Sequence, residues 1–303
     1  SAADVQGELD AILAAMDQPS VDGVNTYFVS QTARQAGLTV ALSGLGGDEL
    51  FGGYPNTFGQ APQIYRGMKL AARVPGGSRA ARTALNLLPA SRRASWLRVR
   101  DALEMPPSAA SAYLTRRGLF APSEVQALVT PAVWQAAGER FEAVAHVAER
   151  AGGNGDVSMA WVSRAELRTY THHQLLRDTD VMSMAHSLEV RVPLLDVALV
   201  EAVLQLPASV KMQPAPGLTG PKPLLTAALG ELLPRVIRER PDKQGFTFPF
   251  AVWLRGSLAQ DLLHDAPTYL QPGVVEKMVQ EFENGRLHWS RLWALMALGA
   301  FLP

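Results

Sequence analysis

Residues 38–42 are the one stretch of this chain that reads clearly as a β-strand, and a lone strand cannot make a sheet. This fragment of strand must therefore find a partner or pack on helices. The run stops at Ser43. Gly44, Gly46 and Gly47 follow, then the acidic pair Asp48 and Glu49, then Gly52 and Gly53. An apolar strand, a glycine turn and a polar helix start are how α/β proteins build a ligand crevice at the carboxyl end of a strand. Glycines permit positive φ and let main-chain N–H groups come close to an anion. Two carboxylates beside such a turn repel phosphate unless a cation lies between, and Mg²⁺ bridging carboxylate to phosphate is the usual answer. The helix dipole alone also favours Asp and Glu in a first turn, so a plain capping role explains the same pair.

The rest of the chain reads as helix. Apolar spacing predicts helices over 4–16 and 24–36, the second closed by Gly37. After Gly53, helical segments are predicted at 64–73, 79–88, 109–116, 123–128 and 133–149, separated by Pro and Gly. A long helix over 158–178 comes next, then 197–205, 223–232, 249–263, 274–284 and 288–301. Ala and Arg dominate helix surface around 78–100. There is no internal repeat. The expected fold is mainly α. Residues 1–57 are a remnant of a doubly wound α/β nucleotide-binding domain with its other strands upstream, and 58–303 are a helical domain.

Composition narrows the partners. Lys plus Arg equals Asp plus Glu at 28 each, which argues against a nucleic-acid polyanion. No apolar run is long enough to span a membrane. The absence of cysteine excludes disulfides and Cys-ligated zinc, and suits the cytoplasm.

Three further groups stand out. Asp178, Asp180, Glu189, Arg191 and Asp196 lie among Leu188, Val190, Val192, Leu194 and Leu195, which suggests buried charges needing partners. Glu189 with Arg191 or Arg177 is the expected structural network. Asp180 is the candidate for contact with substrate. Adjacent His172 and His173 point about 100° apart on a helix and have no third ligand at helical spacing, so metal is not expected there. Trp161, Trp253, Trp289 and Trp293 are expected core or interface anchors.

The glycine segment, LSGLGGDELFGGYP, resembles the second nucleotide motif of the asparagine synthetase family, usually written SGEGADELFGGY. Residues 175–196, LLRDTDVMSMAHSLEVRVPLLD, resemble that family's helix-and-turn signature. Lys222, Leu233-Pro234, Arg240, Lys243, Gly245, Phe246, Pro249 and Trp253-Leu254 follow its closing pattern. The resemblance implies an ATP- and Mg²⁺-dependent ligase. A carboxylate, aspartate by default, attacks the α-phosphorus of ATP, and ammonia from a glutaminase domain displaces AMP. It implies that Asp48 and Glu49 hold Mg²⁺. Ser43, Gly44, Gly46 and Gly47 would cradle the nucleotide with Lys222, Lys243 would be a mobile cation on the phosphates, and Asp180 would face the adenylate. As dull alternatives, Lys222 marks a helix start and Lys243 is a solvated loop lysine.

Departures from the family pattern bear on the reading. No cysteine is present to act as the glutaminase nucleophile, and no SGGxDS pyrophosphate loop occurs. The chain is therefore expected to be a C-terminal part, inactive alone, with a homodimer as an open expectation. Leu45 stands where many members have Glu, and Val181 where a basic residue is common. The rival reading is a non-catalytic helical interaction domain that retains motif remnants.

Overall fold

The computed structural model describes residues 2–88, 90–153, 155–212, 222–239, 248–255 and 267–302. Helices α1 (Ala2–Gly7), α2 (Leu9–Ala15) and α3 (Val24–Gln35) lead into strand β1 (Val40–Leu42). The predicted 4–16 helix is thus broken at Glu8. The α3 helix ends where expected, with Gly37 at φ +87°. The glycine turn follows, then α4 (Gly47–Phe51) and the 19-residue α5 (Pro55–Arg73).

Next come α6 (Gly77–Asn86), α7 (Ala90–Ala102), α8 (Ala109–Arg117), α9 (Pro122–Leu128), α10 (Pro131–Arg140) and α11 (Ala143–Ala151). Helix α7 has no counterpart in the predicted boundaries, because its Arg- and Ala-rich sequence carries little apolar periodicity. The single helix predicted over 133–149 is two, parted at Phe141 and Glu142. The Glu142 carboxylate accepts from the backbone N–H groups of Val144 and Ala145, which starts a new helix.

The long segment predicted at 158–178 is helical throughout but not uniformly α. Ser158 caps α12 (Met159–Ala165) by accepting from the Trp161 N–H. A π-helical stretch covers Glu166–Leu175 and continues as α13 (Leu176–Met184). Strand β2 (Glu189–Arg191) and a 3₁₀ turn (Pro193–Leu195) follow. Asp196 then caps α14 (Val197–Gln205) through the Leu199 N–H. Short helices α15 (Ala208–Lys211), α16 (Pro223–Leu229), α17 (Arg235–Arg238) and α18 (Phe250–Trp253) lead to α19 (Val274–Glu283) and α20 (Trp289–Phe301). The predicted helix over 249–263 extends outside the described residues.

The strand finds its partner inside the helix-and-turn signature. β1 and β2 are parallel, with Val40 opposite Glu189, Ala41 opposite Val190 and Leu42 opposite Arg191. Only three residues of the predicted strand pair. The expectation that Glu189 and Arg191 are buried is corrected here. They do form an ion pair, at 2.7 Å, but their side chains are 55% and 64% exposed. They occupy alternate positions of one strand, so both point to the same open face. Arg177 pairs instead with Asp17 at 2.6 Å.

Two main apolar clusters hold the helices. In the first, Ile12, Met16, Val24 and Tyr27 meet Met182 of α13 and Met278, Phe282, Leu292 and Trp293 of the C-terminal helices. In the second, Phe58, Ala109, Tyr113, Val147, Trp161 and Ala165 join α5, α8, α11 and α12. A smaller group, Leu50, Phe51 and Val203 with Leu224 and Leu225, ties α4 to α14 and α16. Trp161 and Trp293 are fully buried anchors; Trp253 and Trp289 are partly buried around Phe250.

Gly46 has φ +89°, and a Cβ there would overlap the Leu195 side chain. Gly46→Ala is expected to cost about 2–4 kcal/mol, from backbone strain plus overpacking. Gly138→Ala, in α10 where an added methyl would meet no atom within 4 Å, is expected to add about 0.5–1 kcal/mol. Urea midpoints of the two variants check both signs.

Candidate functional site

The parallel register carries the site. Ser43 N–H donates to Arg191 O at 2.8 Å, the last rung of the ladder, and the chain leaves the strand at once. The Leu45 N–H donates to Ser43 Oγ at 3.3 Å, and the Gly47 N–H to Gly44 O at 3.3 Å. The turn lies against the 3₁₀ turn that follows β2: Gly46 faces Leu195, and a Cβ on Gly47 would come 2.9 Å from Leu194. Two motifs far apart in sequence thus share one corner.

Asp48 and Glu49 sit side by side in the first turn of α4 but face different surroundings. The Asp48 side chain is 22% exposed and accepts from Lys222 Nζ through Oδ1 at 3.0 Å, across 174 residues of sequence. Gly53 lies directly behind it; a Cβ there would overlap Asp48 Oδ1. Glu49 is 1% exposed and accepts from the Tyr54 hydroxyl at 2.7 Å. Lys222 holds a left-handed backbone, φ +59°, just before Pro223, an uncommon conformation for a residue with a side chain. Of the predicted site residues, the fold therefore gathers Ser43, Gly44, Gly46, Gly47, Asp48, Glu49 and Lys222 in one corner. Asp180 is exposed on α13, and the carboxylate buried on that helix is Asp178. Lys243 lies outside the described residues.

Behind the turn is a cluster that sequence reasoning missed. Arg117 of α8 pairs with Glu166 of the π-helical stretch, 2.6 Å apart. Burial pushes the Glu166 carboxyl up to about 7; Arg117 opposes this and Glu49 adds to it. Burial works against the Arg117 charge, yet Glu166 and the phenols of Tyr170, Tyr113 and Tyr54 hold the guanidinium firmly protonated. Burial, then Glu49, raises the Tyr54 phenol far above its ordinary range. Asp178 is the second acid of this kind. Burial carries it to about 7, the hydrogen bond from Ser20 at 2.5 Å opposes the rise, and Asp22 and Asp17 add to it. No spacing rule links Arg117 to Glu166, so only the fold could reveal the pair.

A cavity of about 560 Å³ opens nearby, between the α2–α3 loop, the π-helical stretch and α20. Val21, Phe120, Tyr170, His173 and Leu298 are among the described residues that line it, and none of those is Asp, Glu, Lys or Arg. Among the described residues, no three His, Asp or Glu side chains converge as a metal site, and no helix is long and apolar enough to cross a membrane.

Comparison with known proteins gives one consistent answer. The family model described as Asparagine synthase matches residues 1–302. "Asparagine synthetase [glutamine-hydrolyzing] 1" of Bacillus subtilis is 27% identical over 304 residues, covering 94% of this chain and 44% of that protein. "Putative asparagine synthetase [glutamine-hydrolyzing]" of Mycobacterium bovis is 29% identical over 323 residues, covering 98% of this chain and 44% of that protein, and a Mycobacterium tuberculosis protein of the same description gives the same figures. The chain thus spans less than half the length of these relatives. No solved structure matches.

The two raised carboxyls make stability depend on pH. Both acids hold their protons in the folded chain at pH values where the unfolded chain has lost them, so folding is favoured below the unfolded values. Stability then falls as pH rises from about 4 to about 7, at about 1.4 kcal/mol per pKa unit per group. Urea midpoints should therefore be lower at pH 8 than at pH 5.5, and Glu166→Gln should flatten its share of that slope. Equal midpoints in wild type across this window would contradict the assignment.

Proposed function

The chain belongs to the asparagine synthase family, and we propose that it is the synthetase part of an ATP-dependent ligase that converts a carboxylate to an amide. The observation that carries this is the Asp48–Lys222 pair at the glycine turn. It unites a carboxylate and a cation from separate motifs beside backbone N–H groups, as a site for polyphosphate requires. The parallel strands favour the same reading. Parallel pairs are normally covered on both faces, whereas Val40 is 39% and Leu42 76% exposed. Residues 1–57 then belong to a doubly wound nucleotide-binding domain and 58–303 to a helical domain.

In this reading the substrate carboxylate attacks the α-phosphorus of ATP, pyrophosphate leaves, and ammonia displaces AMP from the acyl-adenylate. Lys222 and Lys243 stabilise charge on the leaving phosphates, Ser43 and the glycine N–H groups orient them, and Asp180 contacts the adenylate. Mg²⁺ would neutralise phosphate charge as pyrophosphate departs. The donor set fits it sparingly. Asp48 offers carboxylate oxygens at the surface, whereas Glu49 is committed to Tyr54 and acts as a support. One carboxylate completed by phosphate and water is ordinary Mg²⁺ coordination. Ammonia comes from a glutaminase domain that is no part of this chain; with neither cysteine nor an SGGxDS loop, the 303 residues alone complete no turnover. The setting is cytoplasmic, and a homodimer suits the family reading.

Aspartate is the default substrate, but Leu45 is half-buried in the turn and cannot accept a proton or bind an ammonium group.

Two measurements test the reading. Calorimetry of the chain with Mg-pyrophosphate should show binding, weakened at least about tenfold, or about 1.4 kcal/mol, by Asp48→Asn with no loss of thermal stability. A variant that is destabilised but whose folded fraction binds as before would leave Asp48 a helix cap. In the full-length protein, kcat/KM for aspartate should lie below about 10⁴ M⁻¹s⁻¹ and rise in Leu45→Glu. A higher wild-type value that drops on Leu45→Glu would refute the substrate inference.

A further inference from the structure

Helix α4 has five residues, and glycines in left-handed conformations flank it: Gly46 at φ +89° and Gly52 at φ +75°. Its N-cap glycine offers no side-chain hydrogen bond. Neither end of so short a helix defines its rotation well. Gly47, Glu49, Leu50 and Phe51 are all buried, Glu49 being the one charged side chain among them, and neighbouring side chains leave a helix about 100° apart. Holding Glu49 inward therefore sets Asp48 outward, against Gly53 and toward Lys222.

The hold on Glu49 comes from elsewhere in the chain. Tyr54 donates its hydroxyl to Glu49 Oε1 at 2.7 Å. The Tyr54 ring lies 4.9 Å from the Arg117 guanidinium, and the Tyr170 ring covers that guanidinium at 3.5 Å. Arg117 donates to Glu166 Oε2 at 2.6 Å. Tyr170 donates to Asp22 Oδ2 at 3.0 Å, and the Tyr113 hydroxyl shares a hydrogen bond with Thr169 at 3.2 Å. Glu49 and Glu166 are both essentially sealed from solvent. One cation in contact with two phenol rings thus serves two buried carboxylates, Glu166 directly and Glu49 through a phenol. Buried charge arranged this way tolerates few alternative geometries.

We propose that Arg117 is a positioning residue for Asp48, acting through Tyr54 and Glu49. Its functional meaning rests on the reading of Asp48 as the phosphate-side carboxylate; the positioning itself does not. Arg117 touches no substrate. It sets the angle at which α4 presents its exposed acid, and it does so from a helix outside the glycine motif.

The test follows the Asp48 carboxyl by ¹³C NMR titration in the 303-residue chain. In wild type, Lys222→Met should raise the Asp48 midpoint by about half a pH unit or more, because a cation next to the carboxylate favours ionisation. In Tyr54→Phe, which deletes one hydroxyl, that response should fall to less than half. The paired variant Arg117→Met with Glu166→Gln removes cation and carboxylate together, and should lose the response in the same way. Arg117→Lys keeps the charge but has no planar face to lay on the Tyr170 ring, and should restore the response only in part. An Asp48 titration that responds to Lys222→Met in Tyr54→Phe as it does in wild type overturns the proposal, whether or not the paired variant folds. Mg-pyrophosphate binding measured on the same proteins tests the site reading separately: wild type that binds none refutes that reading, while the Asp48 coupling still decides the positioning.

Discussion

Three rungs of parallel backbone pairing organise this molecule. β1 against β2 fixes Ser43 to Arg191, and from that rung the glycine turn is laid on the 3₁₀ turn at Pro193–Leu195. Both turns leave their strands at the same end, as parallel strands require. The contact is close enough that a Cβ on Gly46, which also holds φ +89°, would overlap Leu195. Shift the register by one residue and the faces of both strands exchange, which would part the two turns. The placement of Asp48 and the approach of Lys222 both start from that corner.

Charge is distributed around the corner in two layers. The outer layer, Asp48 with Lys222, is part-exposed and can exchange one partner for another at modest cost. The inner layer, Glu49 and Glu166 around Arg117, is sealed and costly to alter. Neighbouring residues of one short helix thus belong to different electrostatic regimes. Asp48 is part-exposed and paired with Lys222, whereas Glu49 is sealed and bonded to Tyr54.

Much of this was legible in the sequence, for identifiable reasons. Helices α3, α14 and α20 were legible from their apolar spacing, α3 with Gly37 to close it. The glycine turn was readable because its composition has few other uses. Strand β2 was not, since Glu-Val-Arg is three residues long, charged, and set in a motif that suggested burial. The π-helical stretch Glu166–Leu175 was read as ordinary helix because apolar spacing does not separate the two over ten residues. The Arg117 cluster had no local signal at all. Its members come from α4, the approach to α5, α8 and the π-helical stretch, and each alone looks like a surface charge or a core aromatic.

The distance between the paired strands has a kinetic side. Between Leu42 and Glu189 the chain runs through ten helices and the π-helical stretch before the sheet can close. Loop-closure entropy must be met before that pairing returns any stabilisation, whereas contacts such as α5 with α6 or α11 with α12 are local. The helical layers therefore assemble first, and the corner that carries Asp48 is completed last. Even after pairing, Val40 and Leu42 stay exposed and β1 keeps one edge unpaired among the described residues, which makes refolding of this chain sensitive to its concentration.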